Sequence, residues 1–224
     1  MRRLNADAAA MHRQIRAHSD HRPIYFAGVI GPSGDAFRPE EALPVGEARE
    51  YHALQAAGLA RPGVDFLYAP TFPAVEEALG ASMAMAATGL PYVVSFVLEQ
   101  DGRVLDGTSL HADIETIDVE ASTAALFYSI SCVHPSVIAT ALRGETVFSD
   151  LVARGQNEFK ANASPLSIEE LVRPYYPEGD DPDLFATEMW LLHQDFDLRV
   201  FGRPLRYRRP SYALAALMAG AEQT

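Results

Sequence analysis

The nine residues PYVVSFVLE, Pro91–Glu99, decide the fold class of this chain. The run is apolar at nearly every position and does not alternate with polar residues, as a strand with one face in water would. Such a strand is buried on both faces, which is typical of a parallel sheet covered by helices. The preceding segment, AVEEALGASMAMAATG (Ala74–Gly89), is compatible with a helix and ends on glycine. The stretch therefore predicts one strand of a parallel α/β sheet.

The same pattern recurs along the chain, with strand starts roughly 28 to 41 residues apart, the length of one β/α unit. The other β-rich runs are PIYFAGVIG (Pro23–Gly31), VDFLYAPT (Val64–Thr71), ALFYSISCV (Ala125–Val133), FKANAS (Phe159–Ser164) and LRVFG (Leu198–Gly202). Helix-compatible segments lie between them at Glu47–Ala60, Ser167–Val172 and Asp183–Phe196. About six such units fit either an open doubly wound sheet or part of a (β/α)8 barrel.

Composition excludes several classes of function. The chain has 224 residues, 48% of them hydrophobic, which is enough for one core and one domain. Its net charge of −12 disfavours a nucleic-acid partner, which needs a basic surface. The longest apolar stretch is broken by Gly89 and Pro91, so no membrane span is expected. One cysteine allows no internal disulfide and favours the cytoplasm.

The only cysteine, Cys132, lies in SISCVHP (Ser129–Pro135) at a predicted strand end. It could be a buried filler, a nucleophile or a metal ligand, and free cysteine is among the most buried residue types. A nucleophilic pair with His134 is disfavoured, because side chains two apart at a strand end point the same way without touching. Pro135 instead favours a helix that begins here, with His134 at its start.

Two other motifs allow chemistry but have simpler interpretations. EQDGRVLDG clusters the carboxylates of Glu99, Asp101 and Asp106, which could serve acid–base catalysis. Asp-Gly dipeptides more often mark surface turns. GPSGD (Gly31–Asp35) could cradle an anion with backbone N–H groups, but it lacks the GxGxxG spacing of a dinucleotide site and by itself indicates a turn.

Taken in order, these segments resemble the homocysteine S-methyltransferase family. The resemblance covers about Asn5 to Gly202 and is carried by GVIGPSGDAF, EAREYHALQAAGLA, GVDFLYAPTFPAVEEALG, PYVVSFVLEQDGRVLDGTSL, SISCVHPSVI, FKANASPLSIEEL and LRVFG. It implies a (β/α)8 barrel that transfers a methyl group from a sulfonium-type donor to the thiol of homocysteine, a step of methionine biosynthesis. It also implies a zinc ion held by three thiolates, which activates the substrate thiol. Cys132 matches the first of these ligands.

The chain departs from the family pattern at four places. Arg203-Pro204-Leu205-Arg206 stands where the family has its Cys-Cys pair, so two of three zinc thiolates are absent and zinc binding is placed in doubt. Ser131 replaces an asparagine, and Pro70-Thr71 stands where a substrate-binding Glu-Thr occurs. Met1 opens inside what resembles the helix before the third strand. The resemblance therefore predicts a partial TIM (β/α)8 barrel with units 3–8 and without strands 1–2.

The tail after Gly202 suggests one cause. Codons chosen for Leu205–Ser211, together with the first base of the Tyr212 codon, spell Cys-Gly-Thr-Asp-Asp-Arg-His when read one base later, which resembles the family's ending. We hypothesise that residues 203–224 of this single domain, 1–224, are an out-of-frame tail. The competing interpretation of RPLRYRRPSY is a basic, aromatic patch for an acidic partner or a membrane surface.

Two functions follow from these patterns. The first is family-type methyl transfer with homocysteine and a methyl donor as partners, impaired by the missing ligands. The alternative is a catalytically inactive truncated paralogue, or an interaction subunit that pairs with a complete barrel. Unpaired outer strands predict self-association through the sheet edges. Cys132 is the single candidate metal ligand, and no substrate-binding residue is assigned.

Overall fold

The computed structural model describes residues 2–19, 23–144, 157–160, 181–196 and 200–201. Its α-helices are α1 (Arg2–Ala17), α2 (Val45–Ala60), α3 (Val75–Ala86), α4 (Leu110–Glu120), α5 (Pro135–Gly144) and α6 (Pro182–Phe196), with a short 3-10 helix at Pro39–Glu41. Its strands are β1 (Ala27–Val29), β2 (Phe66–Phe72), β3 (Tyr92–Phe96), β4 (Phe127–Ser131), β5 (Asn157–Lys160) and β6 (Val200–Phe201).

These strands form one sheet in the order β1-β2-β3-β4-β5-β6, and every neighbouring pair is parallel. The order follows the chain because each strand is followed by a crossover that returns to the adjacent position. The parallel α/β class predicted from the continuous apolar strands is confirmed. The arrangement is consistent with part of a TIM-type barrel.

One face of the sheet forms the core. Alternate residues of a strand point to opposite faces, and one set packs against the helices: Leu67, Ala69, Tyr92, Val94, Phe96, Tyr128 and Ile130, with Ala78, Leu79, Ala81 and Met85 of α3 opposite. The approach of α2 to α3 is especially close. A Cβ atom added to Gly80 would lie 2.5 Å from both the Ala48 Cβ and the Val45 carbonyl oxygen, so this crossing requires glycine.

The amino-terminal helix α1 is held to the sheet by a carboxylate. Asp65 accepts the Phe26 backbone N–H at 2.6 Å and also binds the guanidinium of Arg16. Partial burial raises the pKa of Asp65, but these hydrogen bonds and the Arg16 charge outweigh it and leave the pKa below its usual value. Arg16 also lies over the Phe26 ring, 4.2 Å from its centroid.

Two buried tyrosines near the amino-terminal ends of β3 and β4 hydrogen-bond to the segment before β4 and to α4. The hydroxyl of Tyr92 donates to the Thr123 carbonyl at 2.6 Å, and that of Tyr128 donates to Asp118 Oδ1 at 2.7 Å. Burial and the charge of Asp118 raise the pKa of Tyr92 to about 12. Burial and the Asp118 hydrogen bond likewise raise the pKa of Tyr128.

The strands lie where the sequence places them, with shifted ends. β1 occupies only the centre of Pro23–Gly31, and β5 begins before the predicted Phe159. The helix at 110–120 was not predicted; Ser109 caps it by accepting the Ala112 N–H at 3.3 Å. The predicted helix at 167–172 and the tail at 203–224 lie outside the described residues.

Candidate functional site

Hydroxyl groups line the face of the sheet opposite the core. Register places Ser95 beside Ser129, and Tyr68, Ser95, Ser129 and Ser131 all point to this face. Ser131 Oγ lies 2.6 Å from Ser95 Oγ and 3.2 Å from the Tyr68 hydroxyl, so three strands are joined by hydrogen bonds. We call Tyr68, Ser95, Ser129 and Ser131 the hydroxyl cluster.

Ser129 differs from the other members of the hydroxyl cluster. Ser129 is 2% exposed, and its Oγ atom has no hydrogen-bond partner within the described part of the chain. Buried hydroxyls nearly always find a partner, because an unpaired one costs free energy. As far as the described residues show, the Ser129 hydroxyl can bind a polar atom of a small ligand or a water molecule.

Two non-glycine residues at the carboxyl ends of strands have left-handed backbones. Thr71 has φ 60° at an irregular register between β2 and β3, and Cys132 has φ 63° directly after β4. Such conformations cost free energy and collect at functional sites. Cys132 is half-buried at the end of the sheet where α/β proteins place their ligands.

His134 begins α5, as the sequence predicts. Its Nδ1 atom caps the helix by accepting the Ser136 backbone N–H at 3.2 Å. The same atom lies 2.7 Å from Ser136 Oγ. Because Nδ1 is an acceptor, the proton of the neutral ring lies on Nε2, which faces Glu188 Oε2 of α6 at 3.3 Å. Both ring nitrogens of His134 are thus engaged in holding α5.

The GPSGD loop does not form an open anion cradle. The Ser33 N–H already donates to Glu77 Oε1 at 2.6 Å, and the Asp35 N–H donates to Glu41 Oε2 at 3.0 Å. Glu77 also accepts the Leu43 N–H, at 3.3 Å, so one buried carboxylate holds both ends of the loop that follows β1. The turn interpretation of this motif agrees with these contacts.

The carboxylates after β3 likewise organise turns. Asp101 accepts the Arg103 N–H at 3.0 Å, and Asp106 accepts the Thr108 N–H at 3.0 Å. The second oxygen of Asp106 accepts the Val75 N–H at 2.8 Å and so satisfies the first turn of α3. These contacts support the surface-turn interpretation of the segment over acid–base catalysis.

The donors around Cys132 do not fit the zinc implied by the family resemblance. A catalytic zinc site takes three protein ligands of the N, O or S type. Cys132 is the only cysteine in the sequence, and His134 is engaged with Ser136 and Glu188. Among the residues the structure describes, no three His, Cys, Asp or Glu side chains lie together as a metal-binding group.

Sequence reasoning singled out Cys132 and missed the hydroxyl cluster beside it. The signal was present in Ser129 and Ser131, which are spaced by two and therefore share a face of a strand. Tyr68 and Ser95 are likewise polar interruptions in apolar strands. Only the register shows that these four residues come together.

Comparison with known proteins identifies similar chains. The family model described as homocysteine S-methyltransferase matches residues 1–188. The homocysteine methyltransferase MmuM from Escherichia coli is similar in structure. Its apo form is 18% identical in sequence with a TM-score of 0.69, and the match covers 97% of this chain and 73% of the E. coli chain. Its metallated form is 17% identical with a TM-score of 0.70, over 98% and 70%. At these identities the structures show a shared fold.

No curated protein matches the chain by sequence. No helix in the described segments has the length and apolar character needed to cross a membrane.

Proposed function

Because this chain belongs to the homocysteine S-methyltransferase family, we propose that it acts on the thiol of homocysteine with a sulfonium-type methyl donor. The match of the family model over residues 1–188 is the observation that carries this proposal. The reaction would take place at the carboxyl ends of β2, β3 and β4, beside Cys132. We propose a rate far below that of a family member with all three zinc thiolates.

We assign the described strands to units 3–8 of a (β/α)8 barrel within one domain, 1–224. The sequential parallel order of β1 to β6 supports this assignment, since barrels are built from consecutive β/α units. The overlay on 70% of the E. coli chain also supports it. The out-of-frame tail at 203–224 stays a hypothesis that the gene sequence can test.

In this family zinc, when bound, supplies activation of the substrate thiol. The chain's single cysteine and the engaged ring of His134 do not fit that ion, so no step is assigned to it here. The residues that remain can orient a substrate. The Ser129 hydroxyl and the Tyr68–Ser131–Ser95 chain offer neutral hydrogen-bonding groups for the polar end of an amino acid.

A second candidate is an inactive paralogue or an interaction subunit that pairs with a complete barrel. The incomplete set of thiolates favours it, because one thiolate cannot hold zinc in a tetrahedral site. The exposed apolar side chains in and just before β1 favour it as well. Tyr25 is 71% and Val29 is 52% exposed, and β1 pairs with β2 alone among the described strands.

Zinc content and methyl transfer distinguish the two candidates. The purified chain is incubated with homocysteine and a sulfonium donor such as S-adenosylmethionine, and methionine is measured. Slow transfer that is abolished by Cys132→Ser supports the first candidate, with Ser122→Ala, at an exposed serine in the turn before β4, as the control. The absence of transfer together with substoichiometric zinc supports the inactive paralogue. Stoichiometric zinc with rapid turnover would show that our account of the site is wrong.

We also propose that the chain self-associates through its sheet edges and resides in the cytoplasm. An outer parallel strand with one edge unpaired among the described strands, and with exposed apolar side chains, favours association. Light scattering on the purified chain measures this directly. A stable monomer at micromolar concentration would contradict it, whereas a dimer weakened by Val29→Lys would support it.

A further inference from the structure

We propose that Glu188 is a positioning residue, which acts through His134 to hold the turn that presents the Cys132 thiol. The inference rests on the proposed function, because it takes this thiol as the group that faces a ligand. The structural basis is the arrangement of contacts on the two sides of Cys132.

On the amino-terminal side, the backbone is fixed by the hydroxyl cluster. Ser131, one residue before Cys132, is 1% exposed and hydrogen-bonds to Ser95 at 2.6 Å and to Tyr68 at 3.2 Å. These bonds join β4 to β3 and β2, so the last residue of the strand cannot rotate independently. Cys132 enters its left-handed conformation directly from this fixed point.

On the carboxyl-terminal side, the backbone is fixed by His134. The ring is 5% exposed, its Nδ1 atom caps α5 through the Ser136 N–H, and its Nε2 atom faces Glu188 Oε2 at 3.3 Å. Only Val133, also buried, separates this second fixed point from Cys132. The backbone of the turn is therefore held on both sides of Cys132.

Glu188 is the member of this arrangement that comes from a distant part of the chain. It lies on α6, more than fifty residues after Cys132, and its Oε2 atom is 3.3 Å from His134 Nε2, close enough to orient the ring. Without it, the ring would lose the charged group that faces Nε2, and the cap of α5 would loosen. A looser cap would let Cys132 leave the strained left-handed conformation for others that expose the thiol more often.

The test is the alkylation rate of Cys132 by iodoacetamide at constant pH, measured by mass spectrometry on the full chain. Because the chain has one cysteine, all incorporation reports this thiol. We expect Glu188→Ala to raise the rate at least about threefold through local opening. His134→Ala should raise it similarly, because alanine removes both the cap of α5 and the side chain that faces Glu188. In the double variant the two effects should not add.

Two conservative variants separate positioning from charge. Glu188→Gln removes the charge and keeps an acceptor for the His134 ring, so its rate should stay near that of the parent. Asp195→Asn is the matched control, because Asp195 lies on the same helix and pairs with Arg143 of α5 at 3.2 Å. An equal rise for Glu188→Gln and Glu188→Ala would overturn the proposal and indicate a charge effect. Unchanged rates for Glu188→Ala and His134→Ala would also overturn it.

Circular dichroism and thermal melting establish that each variant is folded. If Glu188→Ala does not fold, His134→Ala and amide hydrogen exchange at residues 131–136 decide between the same outcomes. No methyl donor is present, so the experiment is independent of activity. Absent methyl transfer would count against the proposed function alone, and unchanged alkylation would count against the positioning role alone.

Discussion

His52 Nε2 donates a hydrogen bond to Glu77 Oε1 across 2.9 Å, and both side chains are completely buried between α2 and α3. The same oxygen accepts the Ser33 N–H, and the other oxygen accepts the Leu43 N–H. Burial raises the pKa of Glu77, but the hydrogen bonds from His52, Ser33 and Leu43 outweigh it and hold the pKa below its usual 4.5. One carboxylate thus joins two helices to the loop after β1.

Removal of this carboxylate should destabilise the protein strongly. We expect Glu77→Ala to lower the free energy of unfolding by about 3–5 kcal/mol, because it leaves His52 and two backbone N–H groups without their buried acceptor. Urea denaturation monitored by circular dichroism measures the change. The neighbouring, exposed Glu76 supplies the control, since Glu76→Ala should cost at most about 1 kcal/mol. Equal losses in the two variants would show that the Glu77 contacts contribute little.

The lowered pKa of Glu77 predicts a dependence on acid. A carboxyl whose pKa is lower in the folded state stabilises the fold above its unfolded pKa, near 4.5, and this contribution is lost as the pH falls through the folded value. The stability difference between the parent and Glu77→Gln should therefore shrink between about pH 6 and pH 3. Denaturation curves at several pH values measure it. A difference that does not change with pH would contradict the assigned shift.

Two glycines of neighbouring helices should respond to alanine in opposite directions. Gly80→Ala forces a Cβ atom to within 2.5 Å of Ala48 and of the Val45 carbonyl, so we expect a loss of about 1–3 kcal/mol or more. Gly58 of α2 has open space around an added Cβ, and Gly58→Ala should raise stability by about 0.5–1 kcal/mol. Thermal melting of both variants tests the close crossing of α2 and α3. A tolerated Gly80→Ala would contradict it.

The raised pKa of Tyr92, about 12 against its usual 10.0, predicts a loss of stability in alkali. The unfolded chain releases the phenolic proton above pH 10.0 while the folded chain keeps it, so stability falls from there until the folded pKa is reached. Tyr92→Phe should make this alkaline fall shallower, although it costs about 1 kcal/mol at neutral pH through the lost bond to Thr123. The free energy of unfolding of both proteins is measured from pH 8 to pH 11. If Tyr92 were not responsible, it would fall with pH equally steeply in the parent and in Tyr92→Phe.

Local sequence predicted the sheet well because buried parallel strands carry their own signal. PYVVSFVLE and ALFYSISCV are apolar enough to identify β3 and β4 without any tertiary information. The helix at 110–120 was missed for a related reason. LHADIETIDVE carries several polar and acidic residues, and its helical pattern is weak beside the Asp-Gly turns before it.

The site was harder to predict than the fold, because its contacts are made between strands. Cys132 could be singled out as the only thiol, but its φ of 63° is set by what lies on both sides. The bond from Ser95 to Ser131 spans 36 residues, and the pair of His134 with Glu188 joins α5 to α6. Spacing along the chain carries no information on such pairs until the register is known.

The positive φ angles of Thr71 and Cys132 restrict which amino acids these two positions can accept. In a saturation library selected for folding alone, glycine and asparagine should become enriched at both, while valine and isoleucine should disappear, since branching at Cβ is poorly tolerated in this conformation. Backbone geometry therefore limits the amino-acid substitutions accepted at these strand ends, independently of any catalytic requirement. A library selected for thiol chemistry as well would retain cysteine at position 132 against that pressure.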